Sequence, residues 1–117
     1  MPRVQITVTS TTSGTSPTPG TPPTPATISI AVDQEPVDLT GLGNGVQIHW
    51  DIVTGGWRFP SNGIAIHNPG NKFRSILNNG LRHTWQRDHA DSTNYKYTIT
   101  LTNGSIVATW DPWIVNR

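Results

Sequence analysis

Four histidines are the residues of this chain best suited to metal binding or proton transfer. They are His49, His67, His83 and His89. A histidine metal site needs two or three convergent imidazoles oriented by further partners, and no pair here has a tight motif spacing. If the flanking segments are strands, alternation points His49 and His67 away from the core. His83 shares the parity of Leu81 and Trp85, so we expect it to be partly buried. The pattern favours structural histidines, and we expect no metal and no cofactor.

Oxygen ligands cluster in the segment DHADSTN, residues 88–94. Asp88, Asp91 and Asn94 supply carboxylate and amide oxygens, but calcium takes six or more oxygen ligands. The spacing differs from that of an EF-hand, and the glycine that such a loop needs is missing. We interpret these side chains as turn formers that bond the local backbone, with a calcium site as the alternative.

Catalytic arrangements are sparse in this sequence. No serine lies in a G-x-S-x-G context, there is no cysteine, and Glu35 is the only glutamate. A glycosidase would need two carboxylates on either side of a cleft, for which a small domain has little room. The glycine-rich GLGNGV, residues 41–46, lacks the lysine and the following helix of a phosphate loop. We therefore expect a protein that is not an enzyme.

Five tryptophans make the chain rich in large aromatic side chains. The segment HWDIVTGGWRFP, residues 49–60, holds two of them. Alternation predicts that Trp50, Trp85 and Trp110 lie in the core. Trp57 and Trp113 instead follow turn residues at the start of short segments, so their environment is open to more than one interpretation.

A candidate binding surface follows from these two tryptophans and the arginines near them. It comprises Trp57, Arg58, Trp113 and Arg117. Tryptophan and arginine dominate the energetics of protein interfaces, and an exposed indole can also stack on a sugar ring. The third interpretation is that both tryptophans cap the ends of the core.

Composition narrows the classes of partner. Charged residues make up 13% of the 117 residues and the formal net charge is +1, so no long-range field attracts nucleic acid or a membrane. Residues 58–96 carry six Lys and Arg against two Asp, an excess that we interpret as a solvated face. Without cysteine there is no disulfide and no thiolate zinc site. We find no secretory signal and no apolar run long enough to span a membrane, and expect cytoplasmic synthesis.

The chain divides into three parts by composition. Residues 10–27 contain Ser, Thr, Gly and Pro apart from Ala26, which predicts a semi-rigid linker that reaches roughly 55 Å. Residues 1–9 form an N-terminal arm in which Val4, Ile6 and Val8 alternate with polar residues. This alternation predicts a strand that adds to a sheet edge, in its own domain or in a neighbour, although a frayed terminus is the alternative.

Residues 28–117 form the folded domain, with short alternating segments and turn residues every 8–12 positions. This pattern predicts an all-β fold, an antiparallel β-sandwich of about seven strands. Asn103-Gly104 between two apolar segments predicts a hairpin with a type I′ turn.

The domain resembles immunoglobulin and fibronectin-III-like sandwiches. Trp50 lies in the third plausible strand, where such domains place a core tryptophan, and DSTNYKYTITL resembles the segment that enters their penultimate strand. The resemblance implies that Tyr95 is a tyrosine corner and that Tyr97 occupies the position of an antibody cysteine. The ending TWDPWIVNR is similar to small bacterial or phage proteins of unknown function. The resemblance covers residues 28–117 and implies no activity.

The sequence therefore predicts a non-catalytic structural or protein-interaction module. An arm, a linker and a displayed sandwich suit a subunit of a phage virion or a bacterial surface assembly. The expected partners are proteins, including a second copy through strand addition. The alternative is a carbohydrate-binding module that uses exposed tryptophans.

Overall fold

The computed structural model describes residues 2–11 and 27–117, and within these ranges the chain is all-β, with no helix. Ten strands form: β1 (Arg3–Thr11), β2 (Thr27–Val32), β3 (Val37–Asp38), β4 (Gln47–Ile52), β5 (Ile64–Ile66), β6 (Phe73–Asn78), β7 (Arg82–Arg87), β8 (Thr93–Thr102), β9 (Val107–Trp110) and β10 (Trp113–Asn116). The all-β prediction is confirmed, and the described strands outnumber the seven expected. Most of the predicted linker, residues 12–26, lies outside the described residues.

Sheet one has the strand order β2-β1-β4-β7-β6. β1 runs antiparallel to β2 and parallel to β4, which pairs with β7 in the antiparallel sense. The prediction of a purely antiparallel fold is therefore wrong. Alternation in the sequence indicates which face of the sheet a side chain takes, but it carries no information on strand direction. β4 begins 36 positions after β1 ends, so the intervening chain is long enough for the crossover that a parallel pairing requires.

Sheet two has the order β3-β10-β8-β5, with β9 also paired to β8. Ile99 on β8 pairs with Ile64 on one side and Trp110 on the other, so β5 and β9 lie on opposite edges of β8. The Tyr97 amide donates to the Pro112 carbonyl at 3.0 Å, so β10 continues along the edge that β9 occupies. The short β3 pairs with β10 in parallel.

Buried side chains from both sheets form one core cluster. Trp50 of β4 and Tyr97 of β8 are both fully buried, with ring centroids 5.2 Å apart, and the indole N–H of Trp50 donates to the Tyr97 hydroxyl at 3.1 Å. β1 contributes Val4, Ile6 and Val8, which are 0%, 0% and 6% exposed. The arm is thus part of the core, because its three apolar side chains point between the sheets.

The hairpin predicted at Asn103-Gly104 is confirmed between β8 and β9. Its predicted type I′ turn is wrong, since that turn needs a positive φ at both residues and only Gly104 of this pair has one, at 98°. The Asn103 carboxamide instead accepts hydrogen bonds from the amides of Ser105 and Ile106, at 2.9 and 2.8 Å. These side-chain hydrogen bonds stabilise the four-residue connection, residues 103–106, between β8 and β9.

Candidate functional site

The five tryptophans differ widely in exposure. Trp50 and Trp57 are buried, Trp85 is half-buried, and Trp110 and Trp113 are 38% and 46% exposed. Trp110 pairs with Ile99 and so faces inward as alternation predicted, but β9 has only β8 as a strand partner among the described residues. An inward side chain on an edge strand is covered on one side only, which explains why Trp110 is exposed.

In the candidate binding surface, Trp57 and Arg58 do not converge with Trp113, and Arg117 directly follows the end of β10, four residues beyond Trp113. Trp57 belongs to the core cluster and is 8% exposed, so it caps the core and presents no indole to a partner. Arg58 pairs with Thr102 and Trp113 pairs with Lys96, positions six residues apart on β8. At about 3.4 Å per residue these positions lie roughly 20 Å apart. Of the two tryptophans in the candidate binding surface, Trp113 is therefore the exposed one, around which a site can form.

The position of Trp113 follows from the pairing of β3 with β10. Val37 and Ile114 are register partners, and both are fully buried between the sheets. Because side chains alternate along a strand, Trp113 and Val115 take the outer face of sheet two. Glu35 precedes β3 at the same end, and its carboxylate accepts the Trp113 amide hydrogen bond at 3.2 Å.

An open groove of about 260 Å³ lies beside Trp113. It is lined by Glu35, Pro36, Asn94, Trp113 and Val115. We call it the Trp113 groove. Its volume lies just below that of typical ligand sites, which span about 300–1,000 Å³. An open groove of this size can receive one side chain or one sugar ring, and it does not enclose a cofactor.

A cation borders the groove. The Lys96 ammonium lies over the Trp113 ring, 5.3 Å from its centroid, within the range of a cation–π contact. The Glu35 carboxylate, which accepts from the Trp113 amide, lines the same groove, so charges of both signs lie near the exposed indole. Glu35, Pro36 and Asn94 have no sequence pattern in common with Trp113, because only the tertiary pairing of β3, β8 and β10 brings them together.

The arm residues Val4, Ile6 and Val8 lie in the interior of sheet one rather than at its edge. Val4 pairs with Trp50, and Ile6 pairs with Val32 on one side and with Ile52 on the other. The His49 amide donates to the Pro2 carbonyl at 3.1 Å, and the Val53 amide donates to the Ile6 carbonyl at 2.9 Å. Both edges of β1 therefore have strand partners.

Ser75 and His83 form a pair that resembles a catalytic dyad, with the hydroxyl 3.0 Å from Nε2. The other ring nitrogen, Nδ1, accepts the amide hydrogen bond of Ile64 at 3.1 Å. A neutral imidazole that accepts at Nδ1 carries its proton on Nε2, so it donates to Ser75 and cannot take the hydroxyl proton. Burial lowers the pKa of His83 to about 4, which keeps the ring neutral near pH 7. His83 is buried more fully than expected, at 2% exposure.

The other histidines are also bound to the scaffold or dispersed. His49 Nδ1 lies 2.8 Å from the Thr84 hydroxyl, and His67 Nε2 lies 2.6 Å from the Thr98 hydroxyl. Burial, then the positive charge of Arg82, lowers the pKa of His49. Within residues 2–11 and 27–117, no three His, Cys, Asp or Glu side chains are grouped so that they could hold a metal ion.

The segment 88–94 is organised by Asp91. Its carboxylate accepts the Thr93 amide at 3.1 Å, the local turn contact expected, and also the Tyr95 hydroxyl and the Asn116 amide group. Burial raises the pKa of Asp91, but the hydrogen bonds from Tyr95 and Asn116 outweigh this and lower it overall. Burial and the Asp91 contact raise the pKa of Tyr95 to about 12.

Arg87 continues this network into the core and is 1% exposed, unlike the solvated cations expected in this region. Its guanidinium donates to Asn116 Oδ1 at 3.3 Å and to the main-chain oxygens of Leu39, at 3.0 Å, and Gly43. Burial lowers the pKa of Arg87. The sequence contained a signal for the burial of Arg87, since this residue shares the inward parity of His83 along the strand.

Comparison with known proteins gives no relatives. No protein-family model, curated protein or solved structure matches the chain significantly. In the part of the chain that the structure describes, no helix is long and apolar enough to cross a membrane.

Proposed function

We propose that this chain is a non-catalytic protein-interaction module with an immunoglobulin-like topology, and that it binds its protein partner at the Trp113 groove. The observation that carries the proposal is the 46% exposure of Trp113 beside a groove on the outer face of sheet two. A structural subunit of a phage virion or of a bacterial surface assembly is the setting that this architecture suits.

Strand pairing supports the immunoglobulin-like assignment. Immunoglobulin sandwiches place strands A, B, E and D in one sheet and C, F and G in the other. In this frame β2, β4, β7 and β6 correspond to A, B, E and D, while β5 and β8 correspond to C and F. β9 and β10 together take the place of G, and the parallel pair of β3 with β10 resembles a strand A that crosses to the second sheet. β1 is the addition, between A and B.

The immunoglobulin-like strand assignment gives Trp50 a position different from the one that the sequence resemblance implied. Trp50 lies on the strand equivalent to B, facing Tyr97 on the equivalent of F, so the pair spans the sheets where antibody domains have their disulfide. The resemblance had placed Trp50 in the third plausible strand, as the core tryptophan of such domains. Tyr95 keeps its proposed place as a corner tyrosine, although its hydroxyl bonds the Asp91 side chain rather than the backbone.

A protein partner fits the groove better than a polysaccharide. Sugar-binding surfaces of this type need open aromatic faces, but Trp57 is buried and Lys96 covers one face of Trp113. A half-exposed tryptophan flanked by Glu35 and Lys96 instead resembles the anchor of a protein interface, an aromatic centre with a charged rim.

The absence of catalysis is proposed from the chemistry of the described side chains. Ser75–His83 is the one serine–histidine contact in the described hydrogen bonds, and its histidine donates the proton that a general base would have to accept. The groove itself offers Glu35 without a second carboxylate among its lining residues.

The test is retention of proteins by immobilised full-length chain. Wild type, Trp113→Ala and the control Val107→Ala are incubated with an extract of the source organism, and bound proteins are identified by mass spectrometry. Val107 is 64% exposed on sheet two but outside the groove. We expect a protein retained by wild type and by Val107→Ala but lost with Trp113→Ala.

Two results would overturn this proposal. One is that the three variants retain the same proteins, which would show that the groove takes no part in binding. The other is retention of the wild type on insoluble cellulose, chitin or peptidoglycan that Trp113→Ala abolishes, which would identify a carbohydrate-binding module.

A further inference from the structure

β1 lies in the interior of sheet one, between β2 and β4. It is the one strand of this sheet that has no equivalent in the immunoglobulin-like strand order. The strands on either side, β2 and β4, run antiparallel to one another, since β1 is antiparallel to the first and parallel to the second. Neighbouring strands are about 4.8 Å apart, so β2 and β4 are separated by roughly 10 Å. The space between them is a slot for one strand, which we call the β2–β4 slot.

Side-chain contacts, as well as the main-chain hydrogen bonds of the sheet, hold β1 in the β2–β4 slot. The Gln5 amide donates to the Asp33 carboxylate at 2.8 Å, and the Val8 amide donates to the Thr54 hydroxyl at 2.9 Å. Arg3 lies 3.4 Å from the Asp51 carboxylate. Together with three buried apolar side chains, these contacts fix the register of the inserted strand.

The tether of β1 is longer than a hairpin within one chain requires. Thr11 and Thr27 are register partners at the open end of the β1–β2 pair, and hairpins usually connect such positions with about 2–5 residues. Here fifteen residues intervene, 12–26, without a Val, Ile, Leu or aromatic side chain. At about 3.1 Å per residue their contour is roughly 45 Å, more than either of the two shorter extents of the molecule, 25 and 22 Å.

We propose that β1 is an exchangeable strand, and that the β2–β4 slot of one copy accepts β1 from a second copy. The second copy supplies identical ladder bonds, the same partners at Asp33 and Thr54, and the same buried side chains, so exchange leaves no group unsatisfied. When two copies exchange both arms, the second insertion is intramolecular and closes a two-fold dimer. This proposal rests on β1 alone and is independent of the Trp113 groove.

The absence of cysteine from the chain allows a direct test with full-length protein. Thr7 and Ala31 are exposed register partners across β1 and β2. Such partners have Cα atoms about 4.5–5.5 Å apart, within the range of a disulfide. Chains carrying Thr7→Cys and chains carrying Ala31→Cys are unfolded together, refolded and oxidised, and then analysed on a non-reducing gel.

With the two variants in equal amounts, complete exchange predicts that about half of the chains form disulfide-linked dimers, because random pairing then makes half of the dimers mixed. The double variant Thr7→Cys/Ala31→Cys shows that the bond can form between these positions. The matched control mixes Thr7→Cys with Thr109→Cys, an exposed position on β9 that does not pair with β1.

Two outcomes would overturn exchange. The first is an intrachain disulfide in the double variant while the mixture gives no more dimer than the Thr109→Cys control, which would show that β1 stays in its own chain. The second is no disulfide at all in the double variant, which would show that β1 does not pair with β2. Either outcome leaves the Trp113 proposal intact, because its variants do not touch β1.

Discussion

At the scale of single residues, His83 makes the stability of the core depend on the pH of the solution. Its Nδ1 accepts from Ile64, its Nε2 donates to Ser75, and its ring packs against Trp85 at a centroid distance of 6.1 Å. Each contact fits the neutral ring, and protonation would place a second N–H against the Ile64 amide. The folded protein therefore resists protonation of this side chain.

The stability of the protein should consequently fall on acidification. The pKa of His83 is about 4 in the folded chain against 6.5 for an ordinary histidine, so between these values the unfolded chain binds more protons. The contribution is complete above about pH 6.5 and is lost as the pH falls toward 4, by at most about 3 kcal/mol. The lowered pKa of His49 acts in the same direction. Urea unfolding at a series of pH values measures the loss.

His83→Asn is the informative variant for this prediction, since an asparagine carboxamide can accept from Ile64 without titrating. We expect its free energy of unfolding to change less between pH 7 and pH 4 than that of wild type. His67→Asn, at an exposed site, should keep the wild-type dependence. Equal pH dependence in wild type and His83→Asn would show that His83 does not control acid stability.

A second feature at this scale is the hydrogen bond between Trp50 and Tyr97 in the centre of the core. Tyr97→Phe removes only the hydroxyl and leaves the buried indole N–H of Trp50 without its partner. We expect the variant to lose about 1–3 kcal/mol of unfolding free energy, the cost of an unsatisfied buried donor. Thermal or urea unfolding of Tyr97→Phe measures it.

A double-mutant cycle separates this bond from packing. Trp50→Phe alone should cost more than Tyr97→Phe, because it also leaves a cavity. Adding Tyr97→Phe to Trp50→Phe should then cost less than it does in wild type, since the donor has gone. Strict additivity of the two losses would contradict a bond between these side chains.

At the scale of elements, β1 is bound to sheet one through buried apolar side chains. Ile6→Ala should destabilise the protein by about 2–5 kcal/mol, because it empties space around a side chain with no exposure. Thr7→Ala, one position along on the exposed face, should change stability by less than about 0.5 kcal/mol. Chemical unfolding of both variants gives the comparison, and equal small losses would mean that the arm is not part of the core.

The strands themselves were largely predictable from alternation. β1, β2, β4, β5, β7, β8 and β9 each lie within or beside a segment whose apolar residues alternate. β6 was missed because its register shifts between Ser75 and Leu77, and this bulge breaks the alternation in FRSILN. β3 has two residues, too few for any period, and β10 was hidden in the continuation of β9.

The site was less predictable than the strands, and Trp57 and Trp113 show why. Both follow turn residues at the start of short segments, so alternation could not separate them. Trp57 joins the core while Trp113 faces outward, opposite Lys96, because β10 pairs with β8 in one register. Exposure here is set by partners distant in sequence, and a single sequence does not contain that information.

At the scale of the whole molecule, the two proposed interaction sites lie on different sheets. The β2–β4 slot belongs to sheet one, and the Trp113 groove lies on the outer face of sheet two. A copy joined to another through β1 thus keeps its groove free. A two-fold dimer would present two grooves, and a partner with two matching sites would gain affinity from the linkage without any new contact.

The position of β1 also has a consequence for how the chain is made. Its antiparallel partner β2 and its parallel partner β4 both come later in the sequence, and β4 begins 44 residues after β1 begins. Translation at about 5–20 residues per second delays β4 by roughly 2–9 s. During that time Val4, Ile6 and Val8 have no sheet to enter. Under the proposed exchange, the completed β2–β4 slot of one nascent chain on a polysome can then take the unpaired strand of a neighbouring chain.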